Sequence, residues 1–342
     1  MPLGYIYKKI IEARAARYKS GAARSYDLGA PVISVGNITV GGTGKTPLVA
    51  FIAGMLAKNG LKVCILTRGY KRKNPGQRVV VSDRGEVLAD VAEAGDEPFE
   101  LAKDLLGVSA VIADRDRMSA GLWAKEHLGT DVFLLDDGFQ HFRIKRDLDL
   151  VTIDAMNPFG NGRLLPQGIL REPVKNLERA DVVVITRADL AGDVDPLKAK
   201  VQALAPKARI FTAQNKISNL IPLGRLFDGE PDVIPSLLPK TRCLAFCAIG
   251  NAESFFRQLM AAGYELAGTH RFHDHHKYTE RSISKLNELA RKWKADILLT
   301  TVKDAVKLSD FSFEVPCYVV KSTPLIDDEE GLREIVLRSL NN

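Results

Sequence analysis

The chain has 342 residues, 46% of them apolar, which is enough to build one large domain or two of ordinary size. No apolar run reaches the ~18–20 residues of a spanning helix, and the N-terminus lacks the apolar stretch and small-residue cleavage site of a signal peptide. The net charge is +6, but residues 1–31 hold Lys8, Lys9, Arg14, Arg17, Lys19 and Arg24 against only Glu12 and Asp27; this excludes a broad nucleic-acid face and indicates a local basic element.

Residues 3–19 read as a helix. At helical spacing Leu3, Ile6, Tyr7, Ile10, Ile11 and Ala13 share one arc, with Lys8, Lys9 and Glu12 opposite. Such a helix lies on an anionic membrane surface or packs on its own domain; the pattern alone fits both. Next, Pro31 to Gly36 is a short β-branched run, as a buried parallel strand should be. Thr39-Val40-Gly41-Gly42-Thr43-Gly44-Lys45-Thr46 follows, and Pro47 opens an apolar helical pattern. Strand, glycine loop, Lys-Thr and helix is the context of a phosphate-binding loop. Lys45 is the residue for the β/γ-phosphates and Thr46 for one Mg²⁺ position. Thr39 stands where the usual pattern has its first glycine, so Gly41 and Gly42 are expected to supply the freedom. The loop implies a nucleoside triphosphate; it does not say what becomes of the γ-phosphate.

Leu61 to Thr67 is a second strand, running into the basic loop Arg68 to Lys73, at the end of a strand where ligands of parallel sheets bind. Arg78 to Val81 is a short β-rich run. Ala94-Gly95-Asp96-Glu97-Pro98 opens a helix that continues from about Phe99, and taken alone Asp96 is best read as its N-cap. Val108 to Ala113 is a strand ending in Asp114-Arg115-Asp116-Arg117, and a helix to about His127 follows. Asp131 to Asp136 is an apolar strand with an acidic end, continuing Asp137-Gly138-Phe139-Gln140-His141. Paired with Lys45-Thr46, this is the Walker-B arrangement, with Asp136 or Asp137 at the metal. Asp149 to Asp154 is another strand. The Pro- and Gly-rich loop after it, 157–168, leads to Leu170-Arg171-Glu172-Pro173 and has the length of a functional loop.

Asp181 to Thr186 is a strand whose tail, Thr186-Arg187-Ala188-Asp189, loosely resembles a GTPase base-reading loop, with Arg where Lys is usual. Residues 209–240 read as short β segments and a linker. A smaller α/β unit is expected over 241–342, with strands at Cys243–Ile249, Tyr264–Thr269, Asp296–Thr300 and Val315–Val320. Its helices are expected at 252–262, from a Thr279 or Ser282 cap to 294, and after Asp327. Four of the six histidines fall in 270–276. A metal cluster, a solvated polar loop and a catalytic loop are the readings that this loop allows. The four cysteines have no zinc spacing and read as core residues.

Taken together, these segments resemble the tetraacyldisaccharide 4'-kinases, the lipid A kinases of Gram-negative bacteria. The likeness rests on Ser34-Val35-Gly36-Asn37 with residues 41–47, Thr67-Arg68-Gly69-Tyr70, Gly95-Asp96-Glu97-Pro98, Leu135 to His141, Gly162 to Pro166 with Leu170 to Pro173, Phe272 to His276, and Thr301-Val302-Lys303-Asp304. The resemblance implies a P-loop NTPase-type parallel sheet domain (31–208), a β linker (209–240) and a second, smaller α/β/α domain (241–342), with 1–30 as a membrane-facing lead-in. It implies transfer of the ATP γ-phosphate to the 4'-hydroxyl of an acylated disaccharide lipid at the cytoplasmic face of the inner membrane, with no obligate protein partner. By motif position Asp96 and His275 act on the acceptor hydroxyl, although His276 occupies the same loop. Thr46, Asp136, Asp137 and Glu172 are the metal-side candidates. Arg68, Arg117, Arg171 and His141 are expected on the side of the sugar or the transferring phosphoryl group. The competing readings are a membrane-associated nucleotide switch and a regulatory nucleotide-binding protein without turnover.

Overall fold

A computed structural model describes residues 3–70, 72–226, 241–274 and 276–341. The chain divides into two compact units, Met1–Gln214 with Pro324–Asn342, and Asn215–Thr323.

The first unit is a three-layer α/β/α structure. Its strands are β1 (Val32–Gly36), β2 (Val63–Thr67), β3 (Val79–Asp83), β4 (Ser109–Ala113), β5 (Val132–Asp136), β6 (Leu148–Asp154), β7 (Val182–Thr186) and β8 (Arg209–Pro222), ordered β8-β7-β6-β1-β5-β2-β4-β3. The β1, β2, β5, β6 and β7 strands are buried at every position, which explains their unbroken apolar runs. Alternate residues still serve opposite faces. Val132 and Leu134 join the cluster under α2 (Lys45–Lys58), the short α3 (Val91–Ala94) and α4 (Asp96–Asp104), whereas Phe133 and Leu135 join the one under α5 (Arg117–Leu128); Val151 and Val183 pack with α6 (Asp195–Leu204). All pairings from β8 to β4 are parallel, and only β3 runs antiparallel at the edge. Because β1 lies between β5 and β6, connections diverge on either side of it, and the carboxyl ends there form the crevice where such sheets bind ligands.

The first helix, α1 (Leu3–Lys19), matches its expected span. Its apolar arc divides in two. Tyr7 and Ile11 are partly covered, while Ile6 and Ile10 are 46% and 60% exposed. Lys175 reaches Glu12 at 3.8 Å, tying the helix to the loop after β6.

The second unit contains β9 (Arg242–Cys247), α7 (Ala252–Ala261), β10 (Glu265–Arg271), α8 (Glu280–Trp293), β11 (Ile297–Thr301), the short α9 (Val302–Ala305) and β12 (Cys317–Ile326), with strand order β10-β9-β11-β12. As expected, Thr279 caps α8, reciprocally with Ser282. All four cysteines are free and buried.

Three boundaries differ from the sequence reading. Residues 209–222 form one long strand where short segments and a linker were expected. Its polar run Gln214–Ser218 concealed a strand whose Phe211 and Ala213 face the core. Residues 227–240 lie outside the described residues. The second unit does not run to residue 342: the chain leaves the first unit along β8 and returns along β12, and α10 (Glu329–Arg338) packs Leu332 and Val336 into the first unit's core. Finally, β10 extends through Arg271, so His270 lies in a strand and not in the histidine loop.

Candidate active site

The phosphate loop emerges from β1 and is held from both sides. Its first half is extended: Thr39 bridges Leu170, Val40 N donates to Ile169 O at 2.8 Å, and Arg171 N donates to Ile38 O at 2.8 Å. An extended backbone suits a β-branched residue, which is why Thr39 is accommodated at the first-glycine position. The left-handed conformations fall at Gly41 (φ 106) and Gly44 (φ 80), so Gly44, not the expected Gly42, shares the work with Gly41. The Thr43 hydroxyl accepts from Asn37 Nδ2 at 2.9 Å and bonds Thr152 Oγ1 at 2.7 Å. Lys45 and Thr46 are the first residues of α2, and Gly44 caps it without a side-chain acceptor. The first-turn N–H groups are therefore available for an anion.

The acidic end of β5 faces this loop, and its two aspartates differ sharply. Asp137, in a left-handed conformation (φ 54), takes Arg171 Nη1 on both oxygens at 2.7 Å and lies 3.5 Å from Lys45 Nζ. Burial opposes its ionisation, but Lys45 and Arg171 outweigh it and hold the carboxyl down at about 2. Asp136 is buried, accepts a hydrogen bond from Thr67 Oγ1 at 3.1 Å and has no ion pair among the described residues. Burial, reinforced by Glu97 and Asp137, pushes it up to about 6. An under-neutralised buried carboxylate beside a phosphate loop is suited to a hard cation.

Glu172 is not placed as a metal ligand. Its Oε1 accepts from Gln140 at 2.6 Å, and its Oε2 from Asn176 and Arg179 at 2.8 and 2.9 Å. These donors come from the segment after β5 and from the 3-10 turn at Val174–Arg179, so the carboxylate ties two loops together. Among the described residues no group of three or more His, Cys, Asp or Glu could hold a metal by itself. Thr46, at the start of α2, and Asp136 are the oxygen donors that would hold Mg²⁺ here.

Arg117 is buried and donates from Nη1 to the carbonyls of Asp136 (2.8 Å) and Asp137 (3.2 Å), so it shapes the acidic turn. Burial lowers its pKa, while Asp137 and Asp136 raise it. Arg68 is exposed just past the end of β2. His141 has its Nε2 buried without a partner, and burial together with Arg117, Arg146 and other arginines holds its imidazole neutral, down at about 3. Tyr7 of α1 lies within the electrostatic reach of Arg171 and Glu172.

Asp96 is the first residue of α4, and Gly95 (φ 89) takes the cap position, so the N-cap reading of Asp96 is corrected. Gly95 packs against the loop after β2, where an added Cβ would come within 2.9 Å of Tyr70 O. The neighbouring Glu97 acts on Asp136, which places the start of α4 at the acidic strand end.

In the second unit His275 lies outside the described residues. Around it, the His276 ring stacks on Phe272 with centroids 4.5 Å apart, and its Nε2 meets Ser282 Oγ at 2.9 Å. Two residues of the Thr301–Asp304 motif, quoted in the sequence without a role, hold this loop. Lys303 reaches Asp274 at 3.6 Å, and buried Asp304 accepts from Tyr278 OH at 3.0 Å, Thr301 Oγ1 at 2.7 Å and Ala248 N at 3.1 Å.

The profile of the family described as tetraacyldisaccharide-1-P 4'-kinase matches residues 1–341. A tetraacyldisaccharide 4'-kinase of Geobacter metallireducens is 43% identical over 302 residues, covering 88% of this chain and 86% of its own. One of Desulfotalea psychrophila is 36% identical over 340 residues, covering 99% and 95%. Among solved structures, an "apo" form of LpxK from Aquifex aeolicus in complex with ATP superposes with a TM-score of 0.80 at 33% identity, covering 99% of this chain and 98% of that one. With the match running from end to end and the phosphate loop and acidic strand in register within one fold, the chain belongs to the tetraacyldisaccharide-1-P 4'-kinase family.

Proposed function

We propose that this chain transfers the γ-phosphate of ATP to the 4'-hydroxyl of tetraacyldisaccharide 1-phosphate. The observation that carries this reading is the pairing of Lys45-Thr46 with the divided aspartates of β5, in a chain whose relatives bear that activity's name. In the free enzyme Asp137 holds Lys45 and Arg171 as a prepared set of cations. Bound polyphosphate competes for them, which directs their charge to the β- and γ-phosphates. Thr46 and Asp136 would hold Mg²⁺, which would supply charge neutralisation at the same phosphates.

The 4'-oxygen forms a bond to the γ-phosphorus, the bond to the β–γ bridging oxygen breaks, and the hydroxyl proton passes to Asp96. His275 is assigned a role toward the acceptor hydroxyl, on motif position alone. Phosphoryl transfer is loose, so positioning and charge neutralisation carry most of the catalysis. Arg68 and neutral His141 are assigned to the sugar side.

The acyl chains require the enzyme to work at the headgroup level. Exposed Ile6 and Ile10, flanked by Lys8 and Lys9, give α1 an apolar and basic outer surface for an anionic bilayer. No helix among the described residues is long and apolar enough to cross a membrane; the place of action that the proposed substrate calls for is the cytoplasmic face of the inner membrane.

The test is incubation with ATP and tetraacyldisaccharide 1-phosphate in mixed micelles. Lipid 1,4'-bisphosphate formed one-for-one with ADP is expected. ADP release independent of the acceptor, without phosphorylated lipid, would favour the nucleotide switch and overturn the proposal.

A further inference from the structure

The tail of β7 has no part in the transfer step described above, yet both of its side chains turn to the phosphate loop. Thr186 Oγ1 donates to Thr43 O at 2.9 Å, and Arg187 Nη2 donates to Gly42 O at 2.8 Å. Arg187 Nη1 pairs with Asp154, at the end of β6, at 2.6 Å. Arg187 is only 9% exposed and adopts a left-handed backbone (φ 57), a conformation that an L residue keeps only when its surroundings impose it. Thr186 also backs the loop sterically: a Cβ on Gly44 would come within 3.2 Å of its Cγ2.

A phosphate-binding loop must aim its N–H groups at the ligand. A peptide's carbonyl points opposite to its N–H, so the loop carbonyls turn back into the protein and need donors there. Thr186 and Arg187 are those donors for two consecutive peptides. Arg187 suits this position because its planar fork serves the Gly42 carbonyl and Asp154 together, which a single ammonium does not reproduce. Asp154 neutralises the guanidinium, leaving it to act as a donor to the loop and not as a phosphate ligand.

We propose that Arg187 is a positioning residue that holds Gly42–Gly44 in the polyphosphate-binding conformation before the nucleotide arrives. The resemblance of Thr186–Asp189 to a base-reading loop then reflects a grip on the phosphates' cradle and not a reading of the base. Preordering lowers the cost of binding, so its loss appears in nucleotide affinity.

The test compares Arg187→Ala, Arg187→Lys and Thr186→Val in the full chain. It measures ATP and ADP dissociation constants by calorimetry, KM for ATP and for the lipid acceptor, and the melting temperature without ligand. Arg187→Ala should weaken ATP and ADP on the order of tenfold or more, with acceptor KM unchanged. Arg187→Lys should recover part of that loss. Thr186→Val, which removes one donor and keeps the arginine, should weaken both nucleotides by about threefold to tenfold, and it decides the matter if Arg187→Ala does not fold. ATP affinity within twofold of wild type in Arg187→Ala, or in Thr186→Val where that variant decides, would overturn the proposal. So would a parallel loss for nucleotide and acceptor accompanied by a lower melting temperature, which would mark general loosening.

Discussion

Replacing Asp304 with alanine should destabilise the second unit by about 3–4 kcal/mol. Its carboxylate is fully buried and takes hydrogen bonds from Tyr278, Thr301 and Ala248. Hydrogen bonds to a charged acceptor contribute about 1.5–3 kcal/mol each, and a buried donor left unpaired costs about 1–3 kcal/mol. Ala248 N–H and Tyr278 O–H would be stranded in this way. Part of the loss is returned, because burial already holds the Asp304 carboxyl above its ordinary range and removing it relieves that desolvation. Tyr278→Phe deletes one donor to the carboxylate and leaves the other two, so it should cost about 1.5–3 kcal/mol in the wild type. In the Asp304→Ala background the phenol has no acceptor, and the same change should cost nothing or stabilise slightly. Urea unfolding of the two single variants and the double variant, followed by a probe in the second unit, gives the cycle. A loss below about 1 kcal/mol for Asp304→Ala, or an equal Tyr278→Phe cost in both backgrounds, would refute the reasoning.

Two further outcomes are expected. The Asp136 carboxyl, held at about 6 against an ordinary 3.8, binds its proton more tightly in the folded chain. Nucleotide-free stability should therefore rise as pH falls from about 7 toward about 4, by up to about 3 kcal/mol. Asp136→Asn should flatten that rise in thermal melts; an unchanged profile would contradict the assignment. Asp137 has the opposite sign: depressed to about 2, it contributes stability above 3.8 that is lost as pH falls toward 2. On α1, Ile6→Asp with Ile10→Asp should change stability by less than about 0.5 kcal/mol. The same pair should sharply reduce sedimentation with anionic vesicles, and undiminished binding would remove the helix from the membrane account.

The site was legible in the sequence wherever chemistry depends on local order. Lys45-Thr46 after a buried strand, and an apolar strand ending in Asp136-Asp137, sit together at β1 and β5 as their patterns required. What separates the two aspartates was not legible. Arg171 and Lys45 reach Asp137 from other elements, and burial near Glu97 acts on Asp136. Glu172 read as a metal ligand because its partners Gln140, Asn176 and Arg179 meet it only after folding. Asp96 read as a cap because the left-handed Gly95 before it could not be seen in the letters. Arg187 stands where a base-reading loop has lysine, and its two-sided contact with Gly42 and Asp154, invisible in the letters, uses what distinguishes arginine. The long β8 strand and the return of α10 depend on pairing with Asp327 and the first core across more than a hundred intervening residues, beyond the reach of any local pattern.

The central claim is that Asp96 and the phosphate loop act on one transferred phosphoryl group. Single-turnover transfer from ATP to tetraacyldisaccharide 1-phosphate, measured for wild type and Asp96→Ala at saturating nucleotide, tests it most directly. The expected result is a loss on the order of 100-fold or more in the transfer rate, with ATP affinity unchanged. A variant that transfers at the wild-type rate would contradict the claim.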